Sequence, residues 1–155
     1  IIQSREIALS LGYNYISTLH FFLADCKING PGSIKFFAFD KDEDFQTFYN
    51  HHKTGEPIQL EEDLPLTVEA EKTLRKAFIL WNGNNYYDQE VRPYHLFLAA
   101  SLISRTTFCK IFPQERQLYE RLANYYIDNG QINKNKIHKS FLIKIQKWIS
   151  GHLHK

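Results

Sequence analysis

A chain of 155 residues with 43% hydrophobic and 15% aromatic content suits one domain with a core dominated by bulky rings. It has no run of about 18 apolar residues, which excludes a helical membrane span, and its start lacks the layout of a secretory signal, so a cytoplasmic setting is expected. The net charge of +2 conceals an asymmetry: six Lys and no acid lie in residues 131–155, leaving 13 basic against 17 acidic residues before them.

Residues 3–11 have helical spacing, with Ile7 and Leu11 in register and Gly12 as a left-handed stop. The chain contains no Met, and this first helix lacks an N-terminal cap, so further residues are expected to precede Ile1. After a short extended link, Thr18 is expected to cap a second helix running to about residue 28. Its apolar face carries Leu19, Phe22, Leu23 and Cys26. Asn29, Gly30, Pro31 and Gly32 break it. A short helix at 34–38 follows, and then one that begins among Asp40, Asp42, Glu43 and Asp44 and carries Phe45, Phe48 and Tyr49. Acids at a helix start read as partners of the helix dipole, not as a metal site.

Residues 53–65 are the connector. Beyond them, Thr67 caps a predicted helix over 67–81, with Glu69 and Glu71 in its first turn. Further helices are predicted over 93–103, 107–112 and 113–129, where Pro113 suits a first helical position and Gly130 a stop. The basic segment 131–155 contains an amphipathic helix over 136–150. Its stripe of Ile137, Phe141, Ile145, Trp148 and Ile149 is expected to pack on the body of the domain.

One pattern occurs twice. Ile16-Ser-Thr-Leu-His-Phe-Phe-Leu-Ala24 and Val91-Arg-Pro-Tyr-His-Leu-Phe-Leu-Ala99 align without a gap, placing His95 75 residues after His20. Upstream, Arg5 answers Arg75 at a spacing of 70, which puts five extra residues into the second copy's turn at 81–90. The expected architecture is all-α: a duplicated four-helix repeat over 1–130, with repeat one at 1–52 and repeat two at 66–130, plus the C-terminal helix.

These residues resemble a known family. Leu11-Gly12, Asn14, Ile16, Thr18 and His20, followed by Phe21-Phe-Leu-Ala24, are similar to the repeat of the amino-terminal domain of Clp-type AAA+ unfoldases. Leu64-Pro-Leu-Thr67 with Glu69-Ala70 looks like that family's approach to its second repeat. The resemblance implies a pseudo-twofold domain of about eight helices. It also implies a non-enzymatic role in binding substrate or adaptor proteins for an ATP-dependent unfoldase or protease, either as part of that ATPase or alone. No phosphate-cradling Gly-x-x-x-x-Gly-Lys-Ser/Thr segment occurs in the chain. Where some relatives use Glu before the motif His to read phosphorylated arginine, this chain has Leu19 and Tyr94. In such a domain the repeat helices approach one another, and the groove between them would be rimmed by Tyr13, Tyr15, Leu19, Tyr86, Tyr87 and Tyr94. That rim would suit an apolar or aromatic polypeptide segment.

Other chemistry has weaker support. His20 and His95 lie in first helical turns, where a positive ring would oppose the dipole, so a neutral scaffold role is expected. Adjacent His51 and His52 would diverge on a helix, and His152 and His154 sit at the chain end, so no metal or other cofactor is expected. Cys26 and Cys109 stand in apolar contexts and read as buried thiols, not a disulfide. Nucleic-acid binding would rest on the lysine-rich tail alone and is not expected. The alternative from another class is a small helical enzyme or metal-binding protein whose site assembles only in three dimensions.

Overall fold

The computed structural model describes residues 1–30, 42–84, 90–103, 106–111 and 115–130. Among them are seven α-helices: α1 (Ile2–Ser10), α2 (Thr18–Asn29), α3 (Asp42–His51), α4 (Val68–Asn84), α5 (Pro93–Ser101), α6 (Thr107–Ile111) and α7 (Glu115–Asp128). Their only β pairing among the described residues is an isolated bridge, so the class is all-α. The expected helices at 34–38 and 136–150, with Pro113, lie outside the described residues.

α1 stops where its sequence requires. The Tyr13 amide donates to the Ala8 carbonyl at 2.9 Å and the Gly12 amide to the Leu9 carbonyl at 3.1 Å, the paired bonds of a Schellman cap. Gly12 adopts φ +82°, and a Cβ there would lie 2.9 Å from the Gly55 nitrogen, so both conformation and space demand glycine. The connector then runs back over the end of α1. Thr54 donates its amide (2.9 Å) and hydroxyl (3.0 Å) to the Leu11 carbonyl, and the Ile58 amide donates to the Leu9 carbonyl at 2.9 Å. The Arg5 guanidinium bonds the Leu60 and Glu62 carbonyls at 2.6 and 2.8 Å. Last-turn carbonyls that α1 cannot pair internally are thus satisfied by the strap.

Two chain segments that precede helices pair in parallel. Ile16 donates to Pro65 and accepts from Thr67, both at 2.9 Å, which ties the approach to α2 to the approach to α4. Thr67 caps α4 as expected, its hydroxyl accepting the Ala70 amide at 3.2 Å. The expected enlarged turn at 81–90 is corrected, however, because α4 continues through Asn84. Ala70, Thr73, Ala77 and Leu80 hold one buried face in helical register, and that packing carries the helix past Trp81. At the expected spacing of 70, Ile7 of α1 falls on Ala77 of α4, and both are buried.

α2 is the central element. Every residue from Thr18 to Cys26 is buried, so it is enclosed on all sides and not amphipathic. It lies along α1 and against α5 and α6, while α4 packs along α5 and α5 against α7. At the centre, Phe22 meets Phe97 and Phe108 edge to face at 6.3 and 5.9 Å, and Phe97 stacks on Phe108 at 5.5 Å. A smaller cluster of Ala8, Ile16, Phe21, Leu64 and Ala70 seals the side near the bridge. Cys26 and Cys109 are buried thiols not joined in a disulfide, and burial pushes the Cys26 thiol well above its usual range, so it packs as a neutral group.

Candidate partner-binding surface

The two motif histidines make the same local bond. The Ser17 amide donates to His20 Nδ1 at 2.9 Å, and the Arg92 amide donates to His95 Nδ1 at 3.0 Å. Each ring thus takes the place of Glu or Gln in a capping box, reaching back from the third helical residue to the N-cap amide. This also moves the expected cap of α2 by one position, from Thr18 to Ser17. A ring that accepts at Nδ1 carries its neutral-form proton on Nε2. For His20, Nε2 has no hydrogen-bond partner among the described residues, and its aromatic neighbour is Tyr13, 4.8 Å away at 68°. Burial, aided by the charge of nearby His52, lowers the His20 pKa to about 4, so the ring is neutral at neutral pH.

Thr18 is freed for another task. Its hydroxyl donates to Glu69 Oε1 at 3.0 Å and accepts the Phe108 amide at 3.0 Å. The same carboxylate accepts the Thr107 hydroxyl at 2.6 Å on Oε1 and the Thr107 amide at 2.5 Å on Oε2. Glu69 therefore sits against the amino ends of α2 and α6 at once, where exposed amides and helix dipoles favour an anion. The sequence suggests Glu69 and Glu71 as partners of their own helix start. In the structure, Glu69 serves two other helices while Glu71 pairs with Arg75 one turn along.

The expected rim residues part company. Tyr13 and Tyr15 form an edge-to-face pair at 5.3 Å beside His20, with Tyr15 38% exposed and Tyr13 partly buried. Leu19 and Tyr94, 2% and 5% exposed, are core residues, which corrects their placement on an open rim. The reason is the enclosure of α2: Leu19 belongs to the main core cluster, and Tyr94 packs on Tyr126 at 5.6 Å and His95 at 4.0 Å. Tyr86 and Tyr87 lie outside the described residues.

Sequence reading overlooked the outer side of α4, where Val68, Phe78 and Ile79 are 68%, 54% and 62% exposed. Their i and i+11 spacing was the available signal, since Val68 and Ile79 fall on one helical line opposite the buried Thr73 and Ala77. Among the described residues, no helix is long and apolar enough to cross a membrane, and no group of three His, Cys, Asp or Glu side chains is arranged to hold a metal ion.

The fold defines an all-α domain built on a buried central helix. The chain matches no known family description and no curated protein. Among solved structures it is similar to one from preliminary structural investigations of a malarial protein secretion system, with a TM-score of 0.61 and 20% identity over 91% of each chain. At that identity the likeness is one of fold, and it extends over nearly the whole of both chains.

Proposed function

We propose that this chain is a non-enzymatic protein-recognition domain of the kind found at the amino terminus of Clp-type unfoldases. In this reading it binds substrate or adaptor polypeptides for an ATP-driven partner, whether joined to it or separate. The observation that carries the reading is the repeated cap: His20 and His95 each bond the amide three residues back, at positions 75 apart in a gap-free match. Phe22 and Phe97 are equivalent in the same match, and their direct contact is what a pseudo-twofold relation between two copies would produce. The shared fold with a component of a protein secretion system also fits a chain that handles polypeptides. Among the described rim residues Tyr15, with Tyr13 behind it, is the exposed one and the anchor for an apolar segment.

The test is fluorescence anisotropy of a labelled, permanently unfolded polypeptide, reduced and carboxymethylated, titrated with the purified chain without nucleotide. Saturable binding that falls at least about tenfold in Tyr15→Asp is expected. Absence of binding, or the same affinity in Tyr15→Asp, would sink the reading.

A further inference from the structure

The parallel pair that ties the approach to α2 to the approach to α4 has a committed side and an open one. Ile16 donates to the Pro65 carbonyl and accepts the Thr67 amide, so Pro65 and Thr67 turn their main-chain groups towards Ile16. Main-chain direction alternates along an extended chain, and residues 63–67 run without a bend, so Leu64 and Leu66 turn theirs the other way. The amides and carbonyls of Leu64 and Leu66 have no hydrogen-bond partner among the described residues. Pro65, which has no N–H, falls on the committed side, so the outer edge keeps both of its donors. Side chains follow the same alternation. Ile16, Leu64 and Leu66 pack in the smaller core cluster, whereas Tyr15 and Pro65, each one residue before its bridge partner, are exposed on the opposite face. Just ahead of this edge, Glu61, Glu62 and Asp63 are exposed, and none forms an ion pair with a described residue. Arg5, bonded to the Leu60 and Glu62 carbonyls, offsets one of the three charges.

We propose that the outer edge at Leu64 and Leu66 accepts an extended, basic polypeptide segment as a third strand. The proposal deepens the protein-recognition reading and rests on it: Leu64 and Leu66 bind the main chain of the incoming segment, while Pro65, with Tyr15 beyond it, meets alternate side chains. The chemistry of the edge identifies the occupant. Two N–H donors and two carbonyl acceptors at alternate residues of an extended segment match another extended main chain and not a helix, whose own amides are already paired. Main-chain bonds are also indifferent to most side chains, which suits a domain that binds unfolded polypeptides. The acids at one end then favour a segment that carries Lys or Arg.

The experiment titrates the full chain against a fluorescein-labelled peptide, Lys-Lys-Val-Tyr-Val-Tyr-Val-Lys-Lys, and follows hydrogen exchange of the Leu64 and Leu66 amides by NMR. The peptide should bind, and exchange at both amides should slow at least about tenfold at saturation. The same peptide N-methylated at every Val and Tyr keeps its side chains but loses its donors, and should bind at least about tenfold more weakly. Glu61→Gln, Glu62→Gln and Asp63→Asn together should weaken binding of the unmethylated peptide about threefold or more at low salt, with the circular dichroism signal unchanged. Equal binding of the methylated peptide, unchanged exchange at Leu64 and Leu66, a Leu66 amide already protected without peptide, an unaffected triple variant, or no binding each overturns the proposal. If the unfolded polypeptide still binds through Tyr15 in that case, the broader reading stands and the strand edge alone falls.

Discussion

Phe22 and Phe97 touch edge to face, 6.3 Å between centroids, and Phe108 closes the triangle against both. All three rings are buried and come from three different helices, so no single helix accounts for the centre of the core. Phe22→Ala should cost about 3 to 5 kcal/mol and Phe22→Leu about 1 to 1.5, because the smaller change keeps most of the buried volume and loses chiefly the ring contacts. Urea denaturation of both variants measures this. Equal losses would mean that ring geometry matters more than volume.

Glu69 links α4 to the amino ends of α2 and α6 through three short bonds, two from Thr107 and one from Thr18. Glu69→Gln removes the charge from both helix ends and should cost about 2 kcal/mol, the scale of hydrogen bonds to a charged group. Glu71→Gln breaks an exposed pair with Arg75 and should change stability by less than about 0.5 kcal/mol. Matching effects in chemical denaturation would refute the role given to Glu69.

The contrast between those neighbouring acids shows where sequence reading stops. Gly12 and Thr67 were legible because caps depend on a few adjacent residues. The two cysteines and the helical class were legible because composition and spacing report burial in bulk. The burial of Leu19 follows from its place on the expected apolar face of α2, whereas burial of the opposite face was not legible, since periodicity distinguishes one face of a helix but not whether the other face is also covered. On α2 that face carries Thr18, His20 and Asp25, polar residues whose burial depends on partners such as Glu69 and Ser17, far away in sequence or hidden in the cap.

Gly12→Ala should be costly for two separable reasons, the positive φ of 82° and the 2.9 Å approach of the new Cβ to Gly55. A loss of about 2 kcal/mol or more is expected. Gly130→Ala, with φ +69° but no atom of the described residues within 4 Å of the new Cβ, isolates the conformational part and should cost about 1 kcal/mol. If the two variants melt together, the contact with the strap contributes nothing.

His20 makes stability depend on pH in a defined window. Its folded pKa of about 4 lies below the ordinary 6.5, so the unfolded chain binds the proton first. Above pH 6.5 both states are neutral there and nothing changes. As pH falls from 6.5 towards 4 the unfolded state gains, and about 3 kcal/mol of stability is lost. His20→Asn, whose side-chain oxygen can still accept the Ser17 amide, should start less stable but lose less between pH 7 and 5. A parallel pH profile for the two proteins in urea titrations would remove His20 as the cause.

Burial makes opposite predictions for residues once grouped on one rim. Leu19→Asp and Tyr94→Asp each put a carboxylate into the main core cluster without a partner. The cost, about 3 to 5 kcal/mol or more, is enough to unfold a domain of ordinary stability. Tyr15 is 38% exposed and stands on the link before α2, so Tyr15→Asp should shift the melting point little. It should nevertheless lower affinity for an unfolded polypeptide, because it replaces an aromatic anchor by a charge that holds water. Circular dichroism melts read together with anisotropy titrations separate the cases. A folded Leu19→Asp that binds weakly would return Leu19 to the binding surface, and a Tyr15→Asp that unfolds would take Tyr15 off it.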